Sequence, residues 1–340
     1  MDPVAPRGEG TAELTRFRRL VIATIVATFV LILIGGIVRV SDSGLGCGPE
    51  GSGTHGWPLC EGGVIPASSA ESMIEYSHRI AAGIVSVLML MVAWRAWRGL
   101  REYRWIVGLS ATAGVLVLAQ AGLGGLTVEE GLHEYLVAAH LGLAMIFLGT
   151  LFTLRRLASE PEPKPASGSG LLRSLSVVTA VLVLATIVAG GLVAGTEGEG
   201  TPTEPALGAH TACGEQFPGC VDQFMPFGID RLIDIQLMHR LFMYLTALAV
   251  LALVAVAIRQ RAPSRSFVAV GGLVAAQILL GAANVWLGKH AGLILAHLSL
   301  GTAIWATIVY ANTTLMRIPA PRLVPGTSHS ANNPTEAATA

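Results

Sequence analysis

Five residues of this 340-residue chain have the types and spacing to do chemistry together: Glu75, His78, His140, His239 and His297. Imidazole is the commonest side-chain metal ligand. The histidines come as two pairs, His78 with His140 and His239 with His297, and corresponding members are 161 and 157 residues apart. Two facing imidazoles can ligate one metal from both sides. Glu75 stands three residues before His78, on the same face if the segment is helical, where it could donate or accept a proton. Whether these groups meet depends on the elements that carry them.

Those elements read as membrane spans. The chain is 52% hydrophobic and 13% charged, with a mean hydropathy of +0.62, which excludes an ordinary soluble domain. A span needs about 20 mostly apolar residues. Eight runs qualify, at roughly 20–38, 73–94, 105–128, 134–154, 172–193, 233–258, 267–287 and 291–315. A polar leader precedes the first run and no small-residue cleavage site follows it, so it is expected to be a retained helix. MDPVAPRGEG and the Pro/Ser/Asn/Ala-rich end after Arg317 read as disordered, and SEPEPKPASGSG as a flexible linker.

Positive charge sets the expected orientation. With eight crossings, 17 of the 22 Lys and Arg fall on one side with both termini, and 15 of the 22 acids fall on the other. The zero net charge hides this asymmetry. By the positive-inside rule both termini are cytoplasmic. All four cysteines, Cys47, Cys60, Cys213 and Cys220, then lie in extracytoplasmic loops. Two short-range disulfides are the natural reading there, and a four-thiolate metal site is the alternative, although the tight Cys-x2-Cys spacing of zinc sites is missing.

The two halves echo one another. GGIVRVSDSG (Gly35–Gly44) matches GGLVAGTEG (Gly190–Gly198), and EYSHRIAAGIVSVLML (Glu75–Leu90) matches QLMHRLFMYLTALAVL (Gln236–Leu251). QAGLGGL (Gln120–Leu126) matches QILLGAA (Gln277–Ala283), and HEYLVAAHLGLA (His133–Ala144) matches HAGLILAHLSLG (His290–Gly301). The expected fold is all-α: eight transmembrane helices forming two pseudo-symmetric four-helix bundles. The expected divisions are a cytoplasmic N-terminal tail (1–19), a first bundle (20–156), a linker (157–171), a second bundle (172–316) and a C-terminal tail (317–340).

The four paired histidines open the second, fourth, sixth and eighth spans, each about two turns in, so those of one half reach one level. Facing imidazoles inside a four-helix bundle hold a haem by both axial positions. A single histidine near a membrane interface is ordinarily a hydrogen-bonded structural residue; four, matched in depth and duplicated, argue for ligation. The glycines and alanines after Arg79, His140 and His297 would admit a flat macrocycle or serve close helix packing. Met89, Met91 and Met238 read as core filler. Arg79 and Arg240 follow a histidine in each half, where they could pair with haem propionates or snorkel to lipid headgroups. His133 and His290 are candidate secondary ligands or proton relays, whereas His55, His210 and His329 receive no role. The counterpart of Glu75 is Gln236, a neutral amide. That divergence suggests chemistry in the first bundle and electron supply from the second; a helix-start carboxylate favoured by the dipole is the plainer alternative.

Over about 20–315 the chain resembles the haem A synthase family, bacterial and mitochondrial. The specific parts are GGIVRVSDSGLGC (Gly35–Cys47), WPLC (Trp57–Cys60), IEYSHR (Ile74–Arg79), MHR (Met238–Arg240), HLGLA and HLSLG. The resemblance implies oxidation of the C8 methyl group of haem O to a formyl group. It implies haem O as substrate between His78 and His140, and a haem b cofactor between His239 and His297. Glu75 would be the essential carboxylate, and the four cysteines the family's outer-loop cysteines. Two departures stand out: twelve residues separate Cys47 from Cys60, more than in the family's usual tight loop, and Arg39 is matched in the second half by Ala194.

The expected enzyme is thus a haem O methyl-group oxidase of the cell membrane. Its expected partners are haem O, the lipid bilayer, a haem O synthase (protohaem farnesyltransferase) and an unidentified electron donor. A homo-oligomer is left open, and nucleic acid is not expected. The main alternative is a di-haem b electron carrier or quinol oxidoreductase, which would not need a unique Glu75. A repeat-built transporter would place its ionisable residues nearer the bilayer midplane.

Overall fold

The computed structural model describes residues 7–65, 69–159, 163–197, 208–262, 265–288 and 290–318. Among them are eight long helices: α1 (Arg7–Val40), α2 (Ala70–Gly99), α3 (Arg104–Glu129), α4 (Glu134–Ser159), α5 (Gly170–Gly195), α6 (Arg231–Arg259), α7 (Arg265–Trp286) and α8 (Ala291–Leu315). All eight are long and apolar enough to cross a bilayer, as expected of a multi-pass membrane protein. The described residues contain no strands, only isolated bridges.

Local chemistry explains several helix starts. The Ser69 hydroxyl accepts from Ser72 N at 3.1 Å to cap α2, and Ser169 does the same for Leu172 N at 3.1 Å on α5. Asp230 caps α6 through Leu232 N at 2.8 Å, and the His290 ring caps α8 through Gly292 N at 3.2 Å. Such caps satisfy N–H groups that have no intrahelical partner. Inside the helices, Thr24, Thr28, Thr127 and Thr302 bond carbonyls four residues back, so their hydroxyls can lie in an apolar setting.

Helix α1 packs on α2 and α4, and α3 on α2 and α4; in the second half α5 packs on α6 and α8, and α7 on α6 and α8. Helices α1, α4, α5 and α8 also pack across the boundary between the halves. The dry cores lie away from the histidine ends. Val85, Met89, Val92 and Ala96 of α2 join Phe17, Ile106, Ala113 and Leu151 in one core. Val250, Leu253 and Ala257 of α6 join Phe267, Val270 and Ile308 in the other.

Three expectations change. Helix α1 begins at Arg7, not near residue 20, because fully buried Phe17 packs into the first core and Glu13 pairs with Arg95 at 3.0 Å. The described part of the linker is anchored: Lys164 pairs with Ile318, and the Ser167 hydroxyl donates to Thr314 O at 2.9 Å. Met89 is core, but Met91 and Met238 are exposed on outward helix faces. Residues 1–6 and 319–340 of the two tails lie outside the described residues.

Candidate haem sites

Each paired histidine lies six to eight residues inside an even-numbered helix and rests against a glycine of the preceding odd-numbered helix. His78 lies on Gly35, His140 on Gly124, His239 on Gly190 and His297 on Gly281. A methyl group added to any of these glycines would stand 3.1 Å from the ring Cε1, too close without a shift. On α3 and α7 a glutamine one turn before the glycine completes the seat. Gln120 Nε2 donates to His140 O at 2.7 Å, and Gln277 Nε2 donates to His297 O at 3.0 Å. Backbone and ring of each α4 and α8 histidine are therefore held by a Gln-x3-Gly unit.

In the second half the two rings stand 6.4 Å apart between centroids, with planes crossed at 68°. Two imidazole nitrogens each about 2 Å from one metal would put the centroids roughly 6 Å apart. His239 Nδ1 is 3.0 Å from Thr186 O. A carbonyl only accepts, so Nδ1 carries the proton and Nε2 keeps its lone pair, as in metal-bound histidines oriented by a carbonyl. In the first half His78 and His140 lie within electrostatic reach of one another. The Nδ1 atoms of His140 and His297 are buried without a partner among the described residues, although each residue is only half-buried. Each ring thus has its open edge elsewhere. These donor sets fit bis-imidazole ligation of a haem.

Above the first pair, Glu75 is only 3% exposed. Its Oε2 accepts from Cys47 N at 2.7 Å, and its Oε1 accepts from Arg79 Nη2. Arg79 Nη1 donates to Leu59 O at 2.6 Å. One carboxylate–guanidinium pair on α2 thereby grips both arms of the loop closed by the Cys47–Cys60 disulfide. Cys213 and Cys220 are also disulfide-bonded, and Arg240 Nη1 donates to Gly219 O, the counterpart of the Leu59 contact. Here the resemblance between the halves stops. Gln236 Oε1 and Arg240 Nη2 are both buried without a partner among the described residues.

A model of the family described as cytochrome oxidase assembly protein matches residues 18–309. The haem A synthase of Shouchella clausii is 30% identical over 241 residues, 69% of this chain and 74% of that protein. That of Halalkalibacterium halodurans is 31% identical over 207 residues, 60% of this chain and 63% of that protein. That of Bacillus licheniformis is 36% identical over 149 residues, 44% of this chain and 47% of that protein.

The chain belongs to the haem A synthase family.

Several sequence-read residues of this family member take other places. Arg79 is engaged by Glu75 and by the first loop. His290 is the cap of α8. His133 is exposed, 3.3 Å from Glu134 and stacked on Tyr135. Gly142 meets Val188 of α5 and serves helix packing, while nothing lies within 4 Å of a methyl placed on Gly83. The glycines that seat the rings had been visible only as echoes between the halves. Three further residues received no role from the sequence, although Trp57 belongs to the WPLC motif. His210 comes within electrostatic reach of His239 and His297. Trp57, just before Cys60, lies on Gly125, next to the His140 seat: a methyl there would be 2.8 Å from the indole. Phe217 holds the matching place before Cys220, 5.6 Å below the Arg240 guanidinium.

Proposed function

We propose that this chain makes haem A, oxidising the C8 methyl group of haem O to a formyl group for terminal-oxidase assembly. The observation that carries this reading is the second histidine pair, two rings 6.4 Å apart with His239 oriented by a backbone carbonyl. The glycine seat recurs at His78 and His140, which supports reading the first half as a site of the same kind. On this reading 20–156 is the catalytic bundle and 172–316 the cofactor bundle. His239 and His297 hold haem b, and His78 and His140 hold haem O as substrate. The bound haems supply the electron transfer and oxygen chemistry that no side chain can provide.

The protein's own residues bind, orient and move protons. The glycine seats and the Gln120 and Gln277 bonds fix where each histidine presents its nitrogen. Arg79 holds Glu75 and the first loop in one arrangement, and Trp57 covers the α3 side of the first site. On this reading Glu75 is the carboxylate that gives or takes a proton during oxidation of the methyl group. Arg240 Nη2, buried and unpartnered among the described residues, is the group available to a propionate of haem b. A relay of two permanent haems would need no such difference between Glu75 and Gln236. The charge asymmetry supports cytoplasmic termini, disulfide loops on the extracytoplasmic side and residence in the plasma membrane. Haem O synthase is the expected source of substrate, with a separate electron donor.

Co-expression with a haem O-producing system, followed by chromatography of extracted haems, tests the reading. Haem A should form only when this chain is present. Two unmodified b-type haems and no formylated product would instead favour the electron carrier.

A further inference from the structure

We infer that Arg39 is a positioning residue that fixes the two histidine sites relative to one another by capping α5 in the other half. This rests on reading the two halves as the two haem sites. Arg39 lies in the last turn of α1, four residues after Gly35, the seat of His78. Its Nε donates to Ala194 O at 2.8 Å, and its Nη2 donates to Gly195 O and Glu197 O, each at 3.2 Å. The Glu197 carboxylate is 3.6 Å from the same guanidinium. Carbonyls in the last turn of a helix lack intrahelical N–H partners and form the negative end of its dipole. A forked cation suits them better than an ammonium does.

Ala194 itself lies four residues after Gly190, the seat of His239. One guanidinium therefore joins the two helices that seat a histidine of each half, one turn above both seats. Arg39 has no arginine equivalent in the second half: the equivalent position, Ala194, supplies one of the backbone carbonyls it binds. Its contacts span both halves.

The second glycine of each Gly-Gly pair completes the link. A methyl on Gly36 would be 2.6 Å from Leu298 of α8, the residue after His297. A methyl on Gly191 would be 3.0 Å from Ala138 Cα of α4 and 3.3 Å from Leu141, the residue after His140. Each pair thus touches its own half's histidine with the first glycine and the other half's histidine helix with the second. Buried Glu134 at the start of α4 pairs with Arg231 at the start of α6, crossing the same boundary in the opposite sense. A rotation of α1 against α5 would disturb all four ligands, and Arg39 opposes that rotation where the two helices end.

Nitroxide labels at V64C and F224C, exposed loop positions in opposite halves, report the separation of the halves by pulsed EPR in full-length holoprotein in lipid nanodiscs. R39Q should broaden that distance distribution and shift the low-spin signal of the second-site haem. It should also slow haem A formation by roughly 10–100-fold, the usual effect of misplacing reacting groups by up to about 1 Å. R39K should recover part of each. Should R39Q not accumulate, G191A carries the same readouts, because its methyl meets Ala138 backbone. An unchanged distribution with an unchanged haem signal overturns the inference. So does a rate loss explained by weaker haem O binding alone, which would make Arg39 a substrate contact. If the wild-type protein binds no haem at the second pair, the proposed function fails, while the label distances still decide for or against Arg39.

Discussion

Replacing Glu75 by Gln removes one charge while keeping size, and the structure shows what else it costs. Both partners of Glu75 are donors, Cys47 N at 2.7 Å and Arg79 Nη2. A carboxylate can accept from both, but an amide has one accepting oxygen and an NH2 that must face the other donor. One charge-assisted bond is therefore lost, worth about 1.5–3 kcal/mol. Arg79 keeps its bond to Leu59 O at 2.6 Å, so the guanidinium is not stranded. Against a total stability of about 5–15 kcal/mol, most of the protein should remain folded. The second half already carries an amide at this place, Gln236, buried beside Arg240. The activity change should be far larger than the stability change: loss of one positioned acid or base typically lowers the rate about 10²–10⁴-fold.

The assay extracts haems from membranes co-expressing E75Q and a haem O source, with the reduced spectrum checking the second-site haem. Haem O, or a partly oxidised hydroxymethyl form, should accumulate while the second-site spectrum stays as in the wild type. E75D, which keeps the charge on a shorter arm, should retain more activity than E75Q. Haem A production by E75Q at the wild-type rate would refute the reasoning. A second outcome would refute it differently. If Cys47 and Cys60 become reactive to alkylation in E75Q, activity was lost through the loop that Glu75 grips, not through a proton.

Four further outcomes follow from the same geometry. H239A and H297A should each lose the low-spin haem of the second site, since one axial nitrogen is removed; haem stoichiometry and spectra equal to the wild type would exclude that site. G281A should perturb the same signal and G124A should leave it intact, because each methyl would stand 3.1 Å from a different ring, His297 or His140; identical spectra from both would show that the seats do not orient the rings. A reporter active only in the cytoplasm should signal when fused after Arg317 or between Arg259 and Arg261, and should be silent between Gly208 and Cys220; the reverse pattern would invert the orientation. Alkylation without reductant should find no free thiol, and peptide mapping should recover Cys47–Cys60 and Cys213–Cys220; a bond between the two loops would contradict both disulfides.

Hydrophobic runs located the helices because a bilayer demands a nearly uninterrupted apolar length. The eighth run even coincides with α8, Ala291–Leu315, between its His290 cap and the polar end. The start of α1 was hidden because EGTAELTRFRR looks like a polar tail. Only the burial of Phe17 in the first core shows why that turn stays helical. The paired histidines stand out in the sequence through type, depth and duplication. Their seats do not, because the glycine a ring meets depends on how two helices rotate against each other, which composition does not encode. A signal was nevertheless present: Gly35 recurs at Gly190, and Gln120 with Gly124 recurs at Gln277 with Gly281. Arg79 read as a propionate or lipid contact because its loop partners, carbonyls of Pro58 and Leu59, are backbone atoms without a residue-type signature.

The difference between Glu75 and Gln236 has a second consequence if the halves hold haem as proposed. In the first half both terminal nitrogens of the Arg79 guanidinium are engaged, Nη2 by Glu75 and Nη1 by the loop. In the second half Arg240, only 3% exposed, has Nη1 on Gly219 O and Nη2 without a partner among the described residues. A buried guanidinium nitrogen with no acceptor costs free energy that an incoming carboxylate would recover. The second half therefore gains more from an anionic ligand than the first, where Glu75 already pairs with the arginine. A substrate has to leave after each turnover, whereas a cofactor has to stay. One substitution between the repeats thus supplies the first half with a carboxylate and removes from it a strong hold on haem propionates. On the proposed reading the same difference would favour retention of a haem by the second half.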